Sequence, residues 1–493
     1  MTSELNSFDD FREYSLWYLR DVGLDIPEIM DAEFKVVLAQ TREDEIEFGH
    51  YAGQKKWRSV EDMPQGEWNG RTLPSILSNL ANIQGDTEFG SNELQTGLWD
   101  HAPTDYDRKI LLSVITEEFR HGWQMGFFET EVLKTDESRW AAQSLLERRA
   151  SQSGNERLLG AFNNPIVDWL GMYCFLEFMD RDGGSQLSLL AHSSVMQLTQ
   201  SMLFMLREEA KHLRSGEQGF ERILRAGKLP VEIVQRYVNL FAPLGYDLHG
   251  GERSTNALIY YNLGLKGFYP SPEDYLSKPA HVAFDRHLFE DFKAREADPV
   301  RYSYKFIDLN LGGAVKDVNK ELLNGITVTF YKRTLEKHFE KFNKIIRESY
   351  PKGTPELVLP SLRWNRAEPS MYAGEPWDIH GKPLPPSQLE AYKKANLPTV
   401  ADRDAVNEIL GKKGGIAAPE TDVYKELTHE KPSDNVLYRT KFGTKARSRY
   451  TQKLAAPAPA AAPVATPVVT AAAAPAPGGE DVPFWQLMDE AGA

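Results

Sequence analysis

The sequence predicts a mainly α-helical protein, with a four-helix bundle at its centre, extra helices around it and a less regular C-terminal region. Two observations carry this. Residues 73–230 keep a long helical pattern of Leu, Ile, Met and Phe with few prolines. Within that stretch, two Glu-x-x-His turns interrupt apolar helix faces, each with an acidic residue about 30 positions upstream.

Residues 1–72 form a mixed N-terminal segment. Phe8, Phe11, Leu16 and Leu19 have helical spacing, whereas FKVVLAQ (34–40) and KKWRSV (55–60) are short and β-like. Residues 73–350 form the helical domain, closing with a long helical run over 321–350. From 351 to 454 the chain is first proline-dense and extended, then charged and weakly helical. Residues 455–479 are an Ala/Pro-rich linker that could reach roughly 70 Å if polyproline-like. Residues 480–493 end the chain in a short amphipathic tail with Phe484, Trp485, Leu487 and Met488. Two readings of that tail stand: a disordered end, or a tethered peptide that docks on a partner or on its own body.

The chain has 493 residues, 41% of them hydrophobic, enough for a large core. Its net charge of −14, from 57 basic and 71 acidic residues, leaves no basic excess for phosphates, so nucleic acid is not an expected partner. Cys174 stands alone, which excludes an intramolecular disulfide and a thiolate metal site and fits a reducing cytoplasm. The acidic opening MTSELNSFDDF lacks the apolar core of a signal peptide. Prolines break the weakly apolar stretch 461–477, so no membrane span is expected.

Residues three and four apart share a helix face. One such face runs Ile110, Val114, Glu118, His121, Met125, and another runs Met202, Met205, Glu209, His212. Both faces point to the core, where a bare carboxylate is costly unless paired or bound to a metal. Spacing alone is weak evidence. With 42 Glu and 11 His, roughly one Glu-x-x-His arises by chance, and the chain has four. Glu47/His50 lies beside glycines and Glu426/His429 in a polar stretch, so both read as solvated pairs.

A carboxylate-bridged di-iron site takes a Glu-x-x-His from each of two helices and one carboxylate from each of two others. Glu88, 30 residues before Glu118, shares a face with Leu77, Ala81 and Gln84. Asp180 lies 29 residues before Glu209; Glu177, one turn earlier in a more apolar stretch, competes with it. The near-equal spacings suit two antiparallel helix pairs. Glu88, Glu118, Asp180 and Glu209 would balance two ferrous ions, with His121 and His212 as neutral ligands, so the reduced site is neutral. Oxygen and imidazole donors suit iron or manganese better than copper. Glu117 and Glu208 fall about 100° off the ligand face. They read as surface groups or supports behind the ligands, with Arg120 and Lys211 as ion-pair partners.

A ferritin-like bundle can store or detoxify iron, make a radical or activate oxygen. The long additional chain suggests a substrate pocket. Trp169, Tyr173, Phe175, Phe178 and Phe204 suit an apolar or aromatic ligand, with core filling as the alternative for each.

QGDTE (84–88), EEFRH (117–121), LLERR (145–149), DWL (168–170), DRDG (180–183), EEAKHL (208–213) and STNALIYYNLGLKG (254–267) together resemble the oxygenase component of bacterial benzoyl-CoA 2,3-epoxidase. The resemblance spans about residues 70–350. The catalytic subunit of phenylacetyl-CoA epoxidase is a more distant match. The resemblance implies a di-iron oxygenase that epoxidises the ring of an aromatic acyl-CoA thioester. It implies two iron ions per chain, O2 as co-substrate, and electrons from a separate NADPH-dependent flavin and iron–sulfur reductase. It puts the metal ligands on Glu88, Glu118, His121, Asp180, Glu209 and His212, choosing Asp180 over Glu177, and sets Gln84 close to the metals. Glu118, Glu209 and Gln84 are then the residues expected at the reacting centre. Arg148, Arg149 and Lys266 are candidates for a CoA phosphate, with an ordinary surface charge as the alternative for each. The alternatives to this activity are oxidation of another acyl-CoA, a carrier-bound acid or a free aromatic, and a ferroxidase-type metal-handling bundle. A monomer and a homodimer both fit.

Overall fold

The computed structural model describes residues 5–36 apart from 33, residues 57–252 apart from 64, 69, 151 and 192, parts of 257–319, and residues 322–410. The tail, the Ala/Pro linker and the Glu47/His50 and Glu426/His429 pairs lie outside the described residues. Helices dominate, as the periodicity predicts. Among the described residues, no helix is long and apolar enough to cross a membrane.

Helix α1 (Phe8–Asp21) starts where the Ser7 side chain accepts from the Asp10 amide, and a short helix α2 (Pro27–Met30) follows. Of the two β-like stretches, residues 37–40 and 55–56 lie outside the described residues, and the described remainder forms no strand. Trp57 makes an isolated parallel bridge to Val195, and Val60–Asp62 is a 3-10 turn. A two-residue hairpin, β1 (Glu67–Trp68) and β2 (Arg71–Thr72), leads into the bundle.

Four segments form the bundle. Helix α3 (Leu73–Leu94) opens on a Thr72 cap with Pro74 in its first turn. Helix α4 (Asp105–Phe127) opens on a Thr104 cap with Asp105 and Asp107 at its positive end, and runs into a π-turn over Phe128–Leu133. The third segment is broken: α5 (Asp136–Glu147) precedes it, then α6 (Trp169–Cys174) passes through a π-turn (Phe175–Met179) into α7 (Asp180–Leu190). The fourth is α8 (Met196–Ala226), closed by Gly227 at φ +61°.

Two apolar clusters fix the helix directions. Along α3, residues of one cluster (Leu77, Ala81) precede Glu88, and residues of the other (Phe89, Leu94) follow it. Along α4 the order reverses, from Val114 and Ile115 to Met125. It runs the same way from Phe178 to Leu187 along the third segment, and reverses again from Met205 to Phe220 along α8. The bundle is thus two antiparallel pairs with an ionisable layer between its apolar ends.

Close packing needs small residues at the crossings. A Cβ on Gly122 of α4 would lie 2.7 Å from the Phe89 ring of α3. One on Gly216 of α8 would lie 2.7 Å from the backbone nitrogen of Glu177. Backbone cannot yield as a side chain can, so Gly216→Ala is expected to cost about 2 kcal/mol in thermal unfolding. An unchanged melting temperature would contradict this packing.

Beyond the bundle, α9 (Val231–Leu248) and α10 (Leu322–Ser349) pack onto it, and a separate hairpin pairs β3 (Ser303–Asp308) with β4 (Ala314–Asn319). The proline-dense stretch is ordered and irregular as far as Pro385, and then, against the extended reading, turns helical over Pro386–Gln388 and Leu389–Asn396. Its Trp364 is fully buried and donates to the Asn239 carbonyl at 2.9 Å, and its Arg366 binds Asp247 and Glu252. Helices α11 (Leu389–Asn396) and α12 (Val400–Leu410) complete the described chain.

Candidate metal centre

Six side chains from the four bundle segments converge. Glu88 comes from α3, Glu118 and His121 from α4, Asp180 from the start of α7, Glu209 and His212 from α8. All six are buried. They fall into two groups whose donor atoms each lie within 4.8 Å of one another: Glu88, Glu118 and His121, and Glu118, Asp180, Glu209 and His212.

Both imidazoles turn Nδ1 inward. His121 Nδ1 lies 3.4 Å from Glu88 Oε2, 3.9 Å from Glu118 Oε2 and 3.5 Å from Glu209 Oε1. His212 Nδ1 lies 3.1 Å from Glu118 Oε1, 3.4 Å from Asp180 Oδ2 and 3.6 Å from Glu209 Oε2. Glu118 and Glu209 therefore each present one oxygen to either histidine, while Glu88 and Asp180 each serve one side. The ring centroids are 6.2 Å apart.

The π-turn before Asp180 decides between the two competing carboxylates. Glu177 faces away, accepting from Arg181 at 2.8 Å and lying 2.7 Å from His338 Nδ1, while Asp180 enters the cluster. An α-helical face drawn through 177 and 180 does not foresee this, because the π-turn resets the rotation.

Close approach is not hydrogen bonding here. Glu118 Oε1, Asp180 Oδ2, Glu209 Oε2 and both Nδ1 atoms are buried without a hydrogen-bond partner among the described residues. Burial, with the charges of Glu88, Asp180 and Glu209, pushes the Glu118 carboxyl well above the usual range. Burial and Asp180 push Glu209 up to about 8. Unmatched atoms and crowded carboxylates are the features that a bound cation relieves. The donor set of carboxylates and two imidazoles fits a pair of hard divalent ions.

The groups behind the two imidazoles are built across the helix pair. His121 Nε2 lies 2.9 Å from Glu208 Oε2 of α8, and His212 Nε2 lies 2.9 Å from Glu117 Oε2 of α4. Arg120 pairs with Glu208, and Lys211 donates to Glu117 at 2.5 Å. Glu117 and Glu208 are therefore buried partners of the opposite histidine, which corrects the surface alternative. Burial alone would raise Glu117, but His212 and Lys211 outweigh it and hold the carboxyl at about 2. The signal was in the sequence as a doubled Glu with a basic residue next to each His. Gln84 Nε2 donates to Glu88 Oε1 at 2.7 Å and orients that carboxylate. Replacing Glu117 by Leu strands His212 Nε2 and leaves Lys211 without its charge partner, held by Ser113 Oγ at 2.6 Å. Metal affinity, measured by chelator competition, is expected to fall about 10–100-fold.

A cavity of about 250 Å³ opens onto this cluster, with Glu88, Glu118, Asp180 and Glu209 among its lining. A dry apolar cavity of about 150 Å³ already holds a benzene ring. Its apolar wall includes Leu80, Ile83, Phe162, Phe175 and Met179. Of the five aromatics expected near a ligand, Phe175 lines it. Trp169 donates to the Leu98 carbonyl, Tyr173 to Asp107, Phe178 packs on Phe220 and Phe339, and Phe204 lies under Arg120. Lys266 lines the cavity, and burial lowers its ammonium to about 8. Arg148 and Arg149 do not line it. They are tied to Asp86 and Asp21, which accounts for both charges within the fold.

Comparison with known proteins agrees with the motif resemblance. The chain is 37% identical over 257 residues to benzoyl-CoA oxygenase component B of Aromatoleum evansii, covering 48% of this chain and 52% of that protein. The chain is similar to a benzoyl-CoA oxygenase component. It spans about half the length of the curated relative it matches. No family model matches.

Proposed function

We propose that this protein is the oxygenase component of a multi-component di-iron monooxygenase that epoxidises the ring of an aromatic acyl-CoA thioester. One observation carries the proposal: a buried, unmatched set of four carboxylates and two imidazoles opens directly into an apolar cavity of ring size. The likeness to benzoyl-CoA oxygenase component B supports the substrate class and a multi-component system, in which the partner of this reading is a separate, NADPH-dependent flavin and iron–sulfur reductase.

Glu88, Glu118, His121, Asp180, Glu209 and His212 would hold two iron ions, which supply dioxygen activation when bound. The chain's own residues do the rest. Glu118 and Glu209 face both halves of the site and would be shared. Glu117 and Glu208 fix the imidazoles with Nδ1 inward, and Gln84 fixes Glu88. Phe175, Ile83 and Met179 would hold the ring against the carboxylate end and keep water from it. One oxygen atom enters the ring and the other leaves as water, with two electrons from the reductase and two protons. A ferroxidase has no use for the apolar cavity, so the oxygenase is favoured.

The test is oxygen uptake by the iron-loaded chain with a chemical reductant, offering aromatic acyl-CoAs and the matching free acids. Uptake that follows the thioesters is the expected result. Uptake with free acids alone, or with ferrous ion and no organic substrate, would overturn the proposal.

A further inference from the structure

The cavity has a second polar region that the metal ligands do not explain. Lys266 Nζ donates to Gln186 Oε1 at 2.9 Å, and Gln186 Nε2 donates to Asp182 Oδ1 at 3.2 Å. His249 Nε2 lies 3.0 Å from that same Asp182 oxygen, out of line for a good hydrogen bond. Asp182, Gln186, His249 and Lys266 all line the cavity. His249 is 4% exposed, and neither of its ring nitrogens has a hydrogen-bond partner among the described residues. A buried polar group left unmatched beside a cavity points to a guest that matches it.

The charges narrow the guest. One ammonium and one carboxylate, joined through Gln186, cancel locally. A free carboxylate would arrive as uncompensated charge in a buried site, whereas a neutral carbonyl needs only a donor. Lys266 can offer two further N–H groups once Gln186 is satisfied. With Nε2 turned to Asp182, His249 keeps Nδ1 for an incoming N–H. A neutral oxygen acceptor followed by an N–H is the order of groups along an acyl thioester and its amide-bearing thiol arm.

We propose that Lys266 and His249 form a thioester subsite, in which Lys266 donates to the acyl carbonyl oxygen and His249 accepts from the first amide N–H of the thiol arm. This rests on the acyl-thioester reading above and moves Lys266 from a phosphate contact to a carbonyl contact. Asp182 and Gln186 act as positioning residues. The subsite would align the aromatic ring with the carboxylate end of the same cavity and discriminate thioesters from free acids.

The test is calorimetric binding to the iron-loaded chain without reductant, so that no turnover occurs. The probes are benzoyl-CoA and S-benzyl-CoA, a thioether that lacks only the carbonyl oxygen. Wild type is expected to prefer benzoyl-CoA about tenfold. Lys266→Met is expected to weaken benzoyl-CoA about tenfold and leave S-benzyl-CoA unchanged, which also shows that the variant is folded. His249→Phe is expected to weaken both probes alike at an unchanged melting temperature. Equal binding of the two probes by wild type, or equal weakening of both by Lys266→Met, overturns the subsite and leaves the acyl-thioester reading intact. Binding of neither probe by wild type overturns both.

Discussion

Glu118→Ala is expected to leave a folded chain that cannot hold a metal pair. After anaerobic loading, iron should fall from about two to below one per chain. Glu118 belongs to both donor groups, and its two oxygens face different histidines. Truncating it would remove from both donor groups the carboxylate they have in common. Glu88 with His121, and Asp180 with His212, would remain, with Glu209 alone facing both histidines. Loss of a mere support behind a ligand costs about 10–100-fold in affinity, so loss of a shared ligand should exceed about 100-fold. Substrate-dependent oxygen uptake should vanish with the metal. Glu177→Gln is the control, since Glu177 is the competing buried carboxylate one turn before Asp180 on the third segment. Because Glu177 faces Arg181 and His338, that variant should keep its iron. Full metal content in Glu118→Ala, or loss of metal in Glu177→Gln, would contradict the assignment.

The bundle was legible because its signal is periodic. Leu77, Ala81, Val114, Met202 and Met205 repeat at helical spacing, and the ionisable residues break that repeat at one level in each helix. The near-equal spacing from Glu88 to Glu118 and from Asp180 to Glu209 then implies antiparallel pairs, which the reversal of the two apolar clusters bears out. The choice of Asp180 over Glu177 was not legible from periodicity. It depends on the π-turn over Phe175–Met179, and a π-turn leaves no hydrophobic signature of its own. The crossed supports were half legible. The doubled Glu and its basic neighbour could be seen, but not that Glu117 serves His212 and Glu208 serves His121. Asp182, Gln186, His249 and Lys266 were the least legible as a set. They meet from three separate parts of the chain, and no short motif records that. For Tyr173 and Trp169 the core-filling alternative holds, since aromatics near a site in sequence serve the core here.

The metal-free chain is expected to lose stability as pH rises from about 5 to 8, and ferrous ions are expected to restore it. Burial and Asp180 raise Glu209 to about 8, so the folded chain keeps a proton that the unfolded chain releases near 4.5. That contribution is present below pH 4.5 and is lost as pH climbs to about 8. Glu118 is also raised, by burial first and then by its carboxylate neighbours, and acts in the same direction. So does His212: burial would lower it, but Asp180, Glu117, Glu118 and Glu209 outweigh burial and raise it. His121, lowered by burial, opposes them and weakens the fold on the acid side of its usual range. Glu117, held at about 2, adds a separate loss at pH below the ordinary carboxylate range. Within the cluster three groups act against one between pH 5 and 8, and Glu129, raised by burial, adds to the same slope from outside it. Bound cations replace the protons that these groups would otherwise need, so metal binding should release protons and gain with pH. At about a thousandfold excess over Kd, binding contributes roughly 4 kcal/mol, which is on the order of 10 °C in melting temperature for a large domain. The measurement is thermal unfolding at pH 5, 6.5 and 8, anaerobically, with and without ferrous ion. A metal-free melting temperature that rises toward pH 8, or a ferrous shift no larger at pH 8 than at pH 5, would show that these side chains do not share a buried charge that metal relieves.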